Sequence, residues 1–141
     1  MAVNDINKGL NYITYGLYIV TTCEEEKKNG LIVNTVFQVT AEPAQMAISV
    51  NKYSLTHDMI LKSRVFAAMP LEQNTPLPFI GIFGFRSGRT FDKLAKVPYK
   101  MGFLGCPIVG EHTLSYMEVE VSQTVDMGTH TLFIEQVKDA G

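Results

Sequence analysis

The sequence predicts a mainly β fold, a Greek-key barrel with short α-helical insertions. Runs rich in β-branched and aromatic residues recur at 15–22, 31–39, 46–50 and 129–137. Strict alternation marks another strand, with Met117, Val119 and Val121 on one face and Glu118 and Glu120 on the other. The helical stretches between these runs are short. No G-x-G-x-x-G turn opens any of them, which argues against a βαβ dinucleotide fold.

Taken in order, residues 4–12 read as a short leading helix. Residues 15–22 follow as a strand, and Glu24-Glu25-Glu26-Lys27-Lys28 is a charged loop ending in Asn29-Gly30, a strong hairpin signal. The stretch 31–39 is apolar almost throughout, which predicts burial on both faces or closure into a barrel. A turn at Glu42-Pro43 leads to the strand 46–50. A helix then spans 54 to about 64, with Ser54 or Thr56 as cap and Asp58 in the first turn, where the dipole favours a carboxylate. Residues 65–70 return as a strand. The stretch 76–85 is ambiguous from its residues: Pro76 and Pro78 suit a helix start, whereas Ile80-Gly81-Ile82-Phe83-Gly84-Phe85 suits extended chain as well. A turn at Asp126-Met127-Gly128 precedes the final strand, which places His130, Leu132 and Ile134 on one side.

The chain has 141 residues, the size of one domain over 1–141, and is 46% apolar and 18% charged. A net charge of −2 with scattered basic residues argues against nucleic acid, which needs a concentrated basic face. No apolar run is long enough to span a membrane, and the start has neither the basic segment nor the apolar block of a signal peptide. Cytoplasmic residence is therefore expected. Cys23 and Cys106 share no metal-ligand spacing. Two free thiols in a reducing compartment are the preferred reading, and sequence alone leaves a disulfide open. His57, His112 and His130 lie far apart without clustered ligands, so a metal site is not expected.

The residues with chemical potential gather where strand passes into helix. Asn51-Lys52-Tyr53-Ser54-Leu55-Thr56-His57 places hydroxyls and a lysine at a helix start, where unpaired amides and the dipole favour a phosphate. Taken alone, these residues also read as a cap beside a solvated lysine, and His57 as a surface or capping residue. Asn34, Thr35, Gln38 and Thr40 read either as groups satisfied within the sheet or, for Asn34 and Thr35, as donors to a ring or phosphate. Arg86-Ser87-Gly88-Arg89-Thr90-Phe91-Asp92-Lys93 is a turn in which Ser87, Arg89 and Lys93 suit an anion, with Asp92 placed to orient Lys93. His130, of the same parity as Leu132 and Ile134, points toward the apolar side and needs a partner there.

These segments together resemble the flavin reductase-like family, whose members bind FMN or FAD on a split β-barrel. The resemblance is greatest to flavoredoxins and to the flavin domain of high-molecular-weight rubredoxins. It is carried by residues 15–22, 29–43, 49–57, 85–93 and Gly128-Thr129-His130, in order, over roughly 12–138. Each motif alone is weak, and five in order are fairly specific. The 76–85 stretch is assigned as helix on this resemblance.

The resemblance implies that Asn34, Thr35 and Val36 line the flavin ring, and that Lys52, Ser54 and Thr56 meet the ribityl-phosphate arm. Ser87, Arg89 and Lys93 would reach the phosphate or the neighbouring subunit's site, and His130 would approach from the last hairpin. It implies FMN more than FAD, NAD(P)H as co-substrate, a homodimer, and a nicotinamide nucleotide or a redox protein as electron partner. No catalytic triad is expected, because the hydride chemistry belongs to the cofactor. The family pattern continues with a segment rich in Tyr and Lys that would follow Gly141. The chain lacks tryptophan, so packing on a ring falls to Phe or Tyr, with Phe37 a candidate.

Overall fold

The computed structural model describes residues 2–141. A short helix, α1 (Val3–Leu10), buries none of its residues. It is followed by β1 (Tyr18–Glu24), β2 (Lys27–Val33), β3 (Val36–Thr40) and β4 (Gln45–Asn51). Helix α2 (Leu55–Ser63), β5 (Val65–Pro70) and helix α3 (Leu77–Gly84) come next. A 3-10 turn at Leu94–Lys96 and the small hairpin β6 (Lys100–Met101) and β7 (Pro107–Ile108) lead to β8 (Met117–Glu120), β9 (Gln123–Asp126) and β10 (His130–Ala140). The main sheet is antiparallel throughout, in the order β2-β1-β5-β8-β10-β4-β3, with β9 on β10.

The order carries its own geometric consequence. β2 and β3 stand at opposite ends of it, yet only Asn34 and Thr35 separate them. Three Cα–Cα steps reach about 11 Å at most. The sheet must therefore curl until its two ends nearly meet, which gives a half-barrel. β10 makes the bend possible. Its first part pairs with β4 from His130↔Asn51 to Gln136↔Gln45, its end pairs with β8, and the register shifts between Val137 and Asp139. Such an irregularity bends a strand and raises its twist.

The curl creates two cores. Val20, Ile48, Val50, Ile60, Phe66 and Phe133 pack inside it, under α2. Ile19, Met69, Phe79, Phe83, Leu94 and Val109 pack on the other face of β1 and β5, under α3 and the 94–109 segment. Successive residues such as Ile19 and Val20 thus enter different cores, which explains why residues 19–22 are buried without alternation. The same covering explains Glu118. Although it lies on the face of β8 opposite Met117 and Val119, it is fully buried, with one carboxylate oxygen accepting from the Leu104 amide at 3.0 Å.

Several expectations need correction. The hairpin turn is at Glu25-Glu26, not Asn29-Gly30: Glu24 pairs with Lys27, and Glu25 takes φ 55°. The acidic residues stay in water there, while Asn29 and Gly30 lie within β2 opposite Thr22 and Thr21. Gly30 is needed in the sheet because Phe83 and the Val20 carbonyl crowd it; a Cβ would stand 3.0 Å from that carbonyl oxygen. The expected strand 31–39 is two strands broken at Asn34-Thr35, and β3 is largely exposed, not buried on both faces. It is the last strand in the order, with β4 alone beside it, so Phe37 and Val39 face outward. The ambiguous stretch 76–85 forms α3, with Pro78 in its first turn. Cys23 and Cys106 are both free thiols, and burial raises the pKa of each. Among the described residues, no helix is long and apolar enough to cross a membrane.

Candidate functional site

α2 begins where β4 ends, and its start is built as the sequence indicates. Ser54 is the cap: its hydroxyl accepts the His57 amide at 3.1 Å and donates to the Asn51 carbonyl at 3.0 Å. The Asn51 side chain in turn accepts the Tyr53 amide at 2.8 Å. Among the described residues, the amides of Leu55 and Thr56 have no protein acceptor, so two donors at the positive end of the helix stay free. At the other end, Arg64 closes the helix in the left-handed region at φ 64°.

The free amides open onto a cleft of about 350 Å³. Its walls come from four places: β2 (Asn29, Leu31, Ile32), the α2 start, the end of α3 (Phe83, Gly84, Phe85) and the loop that follows it. Lys93 forms part of one wall, and it is almost completely buried. Its ammonium donates to the Gly30 carbonyl at 2.8 Å and to the Phe83 carbonyl at 2.7 Å. It thereby ties β2 to the C-terminal end of α3. Burial lowers its pKa to about 8. No carboxylate neutralises it among the described residues. Gly88 lies against Asn29 so closely that a Cβ there would be 2.3 Å from the Asn29 amide oxygen. Asn29 cannot easily give way, since it is buried and donates to the Thr56 hydroxyl at 3.0 Å.

A polar chain crosses behind the cleft. Arg89 pairs with Asp58 at 2.8 Å, Asp58 meets His57 Nδ1 at 3.1 Å, and His57 Nε2 meets the Thr131 hydroxyl at 2.7 Å. It joins the 86–93 loop, α2 and β10 in one network. Arg89, then His57, holds the Asp58 carboxyl below its usual range.

Of the anticipated site residues, the structure brings Ser54, Thr56, Ser87 and Lys93 together around the cleft. Thr56 is fully buried and holds Asn29. Ser87 accepts the Arg89 amide at 3.1 Å. Arg89 lines a neighbouring cavity instead, engaged with Asp58. Lys52 lies one residue beyond Asn51 and is paired with Asp126 at 2.5 Å. His130 stands opposite Asn51 across the β4–β10 ladder, with its Nδ1 2.8 Å from the Thr129 hydroxyl. Asn34, Thr35 and Val36 fall at the β2–β3 bend and do not line the cleft. Thr35 donates to the Asn34 side chain at 2.9 Å, and Phe37 is exposed on β3.

Two expectations are overturned. His57 is a buried link in the network and tilts against Phe133, not a surface residue. Asp92 does not orient Lys93; it accepts from the Ala95 amide at 3.3 Å, within the 3-10 turn. Sequence reasoning also missed Asn29, Phe85 and Arg86. Asn29 was hidden by its turn-forming dipeptide, and Phe85 by the ambiguity of its segment.

The cleft therefore offers free helix amides, one uncompensated ammonium and hydroxyls at one end, with apolar Leu31, Phe83 and Phe85 beside them. This donor set suits an anionic group carried on a flat organic ring. Fold and site together define a half-barrel β protein with a phosphate-type cradle at its sheet-to-helix passage. The chain belongs to the flavin reductase-like domain family, whose model matches residues 10–141.

Among its relatives is a high molecular weight rubredoxin from Moorella thermoacetica, 47% identical over 133 residues. The match covers 94% of this chain, which spans only 58% of that relative's length. A ferric-chelate reductase (NAD(P)H) from Archaeoglobus fulgidus is 45% identical over 128 residues, covering 91% of this chain and 76% of that one. An FMN-binding protein from Thermus thermophilus, solved with p-hydroxybenzaldehyde bound, superposes with a TM-score of 0.83 at 25% identity. That match covers 92% of this chain and 73% of the other.

Proposed function

We propose that this chain binds FMN in the cleft and acts as an NAD(P)H-dependent flavin oxidoreductase. The observation that carries the reading is the pairing of the free Leu55 and Thr56 amides with the buried Lys93 ammonium in a chain of this family. The phosphate is assigned to that end, and the ring to the apolar walls at Leu31, Phe83 and Phe85. Contacts from Asn34, Thr35 and Val36 to the ring, from Lys52 to the ribityl-phosphate arm and from His130 to the flavin are part of this proposal and rest on the family resemblance, since none of the five lines the cleft itself.

When bound, the flavin supplies the hydride- and electron-accepting chemistry. The protein's part is to hold and orient. The α2 amides fix the anionic end, the Asn29–Thr56 bond keeps the floor rigid, and Lys93 locks β2 to α3 so that the walls hold their spacing. No proton donor or acceptor of the protein is needed for hydride delivery.

A second reading is an electron carrier with tightly held FMN that serves a redox protein. The rubredoxin-named relative, of which this chain spans little more than half, favours it. An absorbance spectrum of purified protein separates the two. Yellow colour that survives dialysis identifies the carrier. Colourless protein that oxidises NADH or NADPH only with added FMN identifies the reductase. Folded protein that neither quenches FMN fluorescence nor turns over overturns both.

The exposed apolar residues support a homodimer. Val3, Ile6 and Leu10 of α1, and Phe37 and Val39 of β3, are open to solvent in one chain.

A further inference from the structure

We infer that the protein carries a second subsite, distinct from the flavin cleft, for the adenosine 2′-phosphate of NADPH, and that it selects NADPH over NADH. The inference rests on the proposed function and adds the identity of the electron donor. A cleft of about 880 Å³ lies between α3 and the segment after it. One wall is apolar and accessible: Leu77 is 64% and Phe85 71% exposed. The other wall holds Phe91, with Arg86 and Lys96 set around its ring at 4.4 and 5.7 Å from the centroid.

Neither cation is neutralised. Among the described residues, Arg86 and Lys96 form no ion pair. Arg89, in contrast, is committed to Asp58 and Lys93 to two carbonyls. Between residues 86 and 100 the sequence carries Arg86, Arg89, Lys93, Lys96 and Lys100 against Asp92 alone, a local balance of +4 in a chain of net −2. A cleft that combines exposed aromatic and aliphatic surface with two free cations fits a purine attached to a phosphate. The guanidinium can engage the phosphate through two N–H groups at once, which an ammonium cannot.

Phe85 and Arg86 also line the flavin cleft, so the two cavities share a wall. A ligand with its adenosine end at Phe91 can thus extend past Phe85 and Arg86 into the flavin cleft. NADH would leave both cations without the 2′-phosphate.

Calorimetric titration with 2′,5′-ADP and with 5′-ADP tests this on the full chain. The 2′-phosphate should raise affinity about tenfold or more, the scale of one charge-assisted hydrogen bond. Arg86→Gln and Lys96→Gln should each erase most of that preference. Lys138→Gln, which removes the same charge from the exposed end of β10, should leave it intact. Equal binding of the two nucleotides overturns the inference. So does a preference untouched by R86Q and K96Q, or one weakened as much by K138Q. FMN fluorescence quenching on the same samples keeps the two conclusions apart. Flavin binding without a 2′-phosphate preference refutes only the subsite, whereas absent flavin binding refutes the proposed function.

Discussion

Lys93 shows how a single residue can be structural and chemical at once. A buried ammonium is held by two carbonyls, which accept two of its three hydrogens but cannot cancel its charge. Its folded pKa of about 8 lies below the ordinary lysine value of 10.5. Between those values the unfolded chain binds a proton that the folded chain does not, so stability rises with pH across that window. Below about pH 8 both states are charged and the burial cost is fully present. Chemical denaturation from pH 7 to 10 should show the rise in wild type and not in Lys93→Met. An anion in the cleft would draw the proton back. FMN affinity should therefore fall as pH passes about 8, with proton uptake on binding, measurable as buffer-dependent heat. Gly88 supplies the second test at this scale. Gly88→Ala would press a methyl group into the Asn29 amide and break its bond to Thr56. A loss of about 1–3 kcal/mol in stability is expected from such overpacking, with weakened FMN binding, read by thermal unfolding and fluorescence titration.

Among the elements, α2 does the most to position the site. Its ends are specified chemically: Ser54 caps the start and Arg64 closes the end. Ser54→Ala should cost about 1 kcal/mol and loosen the amides that face the cleft, so the thermal midpoint and FMN affinity should fall together. This element was legible in the sequence because capping is local: Ser54 lies three residues before the amide it accepts. The adjacent strand was not. Asn29-Gly30 is a turn signal over two residues, and only the distant Thr56, Phe83 and Gly88 make it the better choice for a strand interior. His57 failed for the same reason, its partner Thr131 being 74 positions away. Lys93 was anticipated as a cation at the site, but its anchoring carbonyls on Gly30 and Phe83 belong to segments that no local pattern connects. Sequence-local physics thus found most of the long strands, the helix start and the loop that follows α3, but not the break at Asn34-Thr35 or the short strands β6, β7 and β9. Long-range contacts decided which of their residues enter the cleft.

At the scale of the whole molecule, the half-barrel covers both faces of β1 and β5 but leaves apolar surface in water, α1 and β3 among it. α1 buries nothing, and β3 turns Phe37 and Val39 outward at the margin of the sheet. Light scattering should report twice the 15.7 kDa chain mass. Phe37→Lys combined with Val39→Lys should yield a folded monomer if β3 lies in the interface, since both residues are solvent-facing in the single chain. A dimer that survives both changes would move the interface to α1.

The bend at Asn34-Thr35 gives the fold an unusual clasp. The registered strand pairs lie elsewhere, and the Thr35 carbonyl that accepts the Ser49 amide lies beyond the cut, so a protease nick between these two residues would break no ladder bond. It would cut the two-residue tether between the margins of the curled sheet and leave the core packed inside the curl to hold them together, with all strand pairings intact.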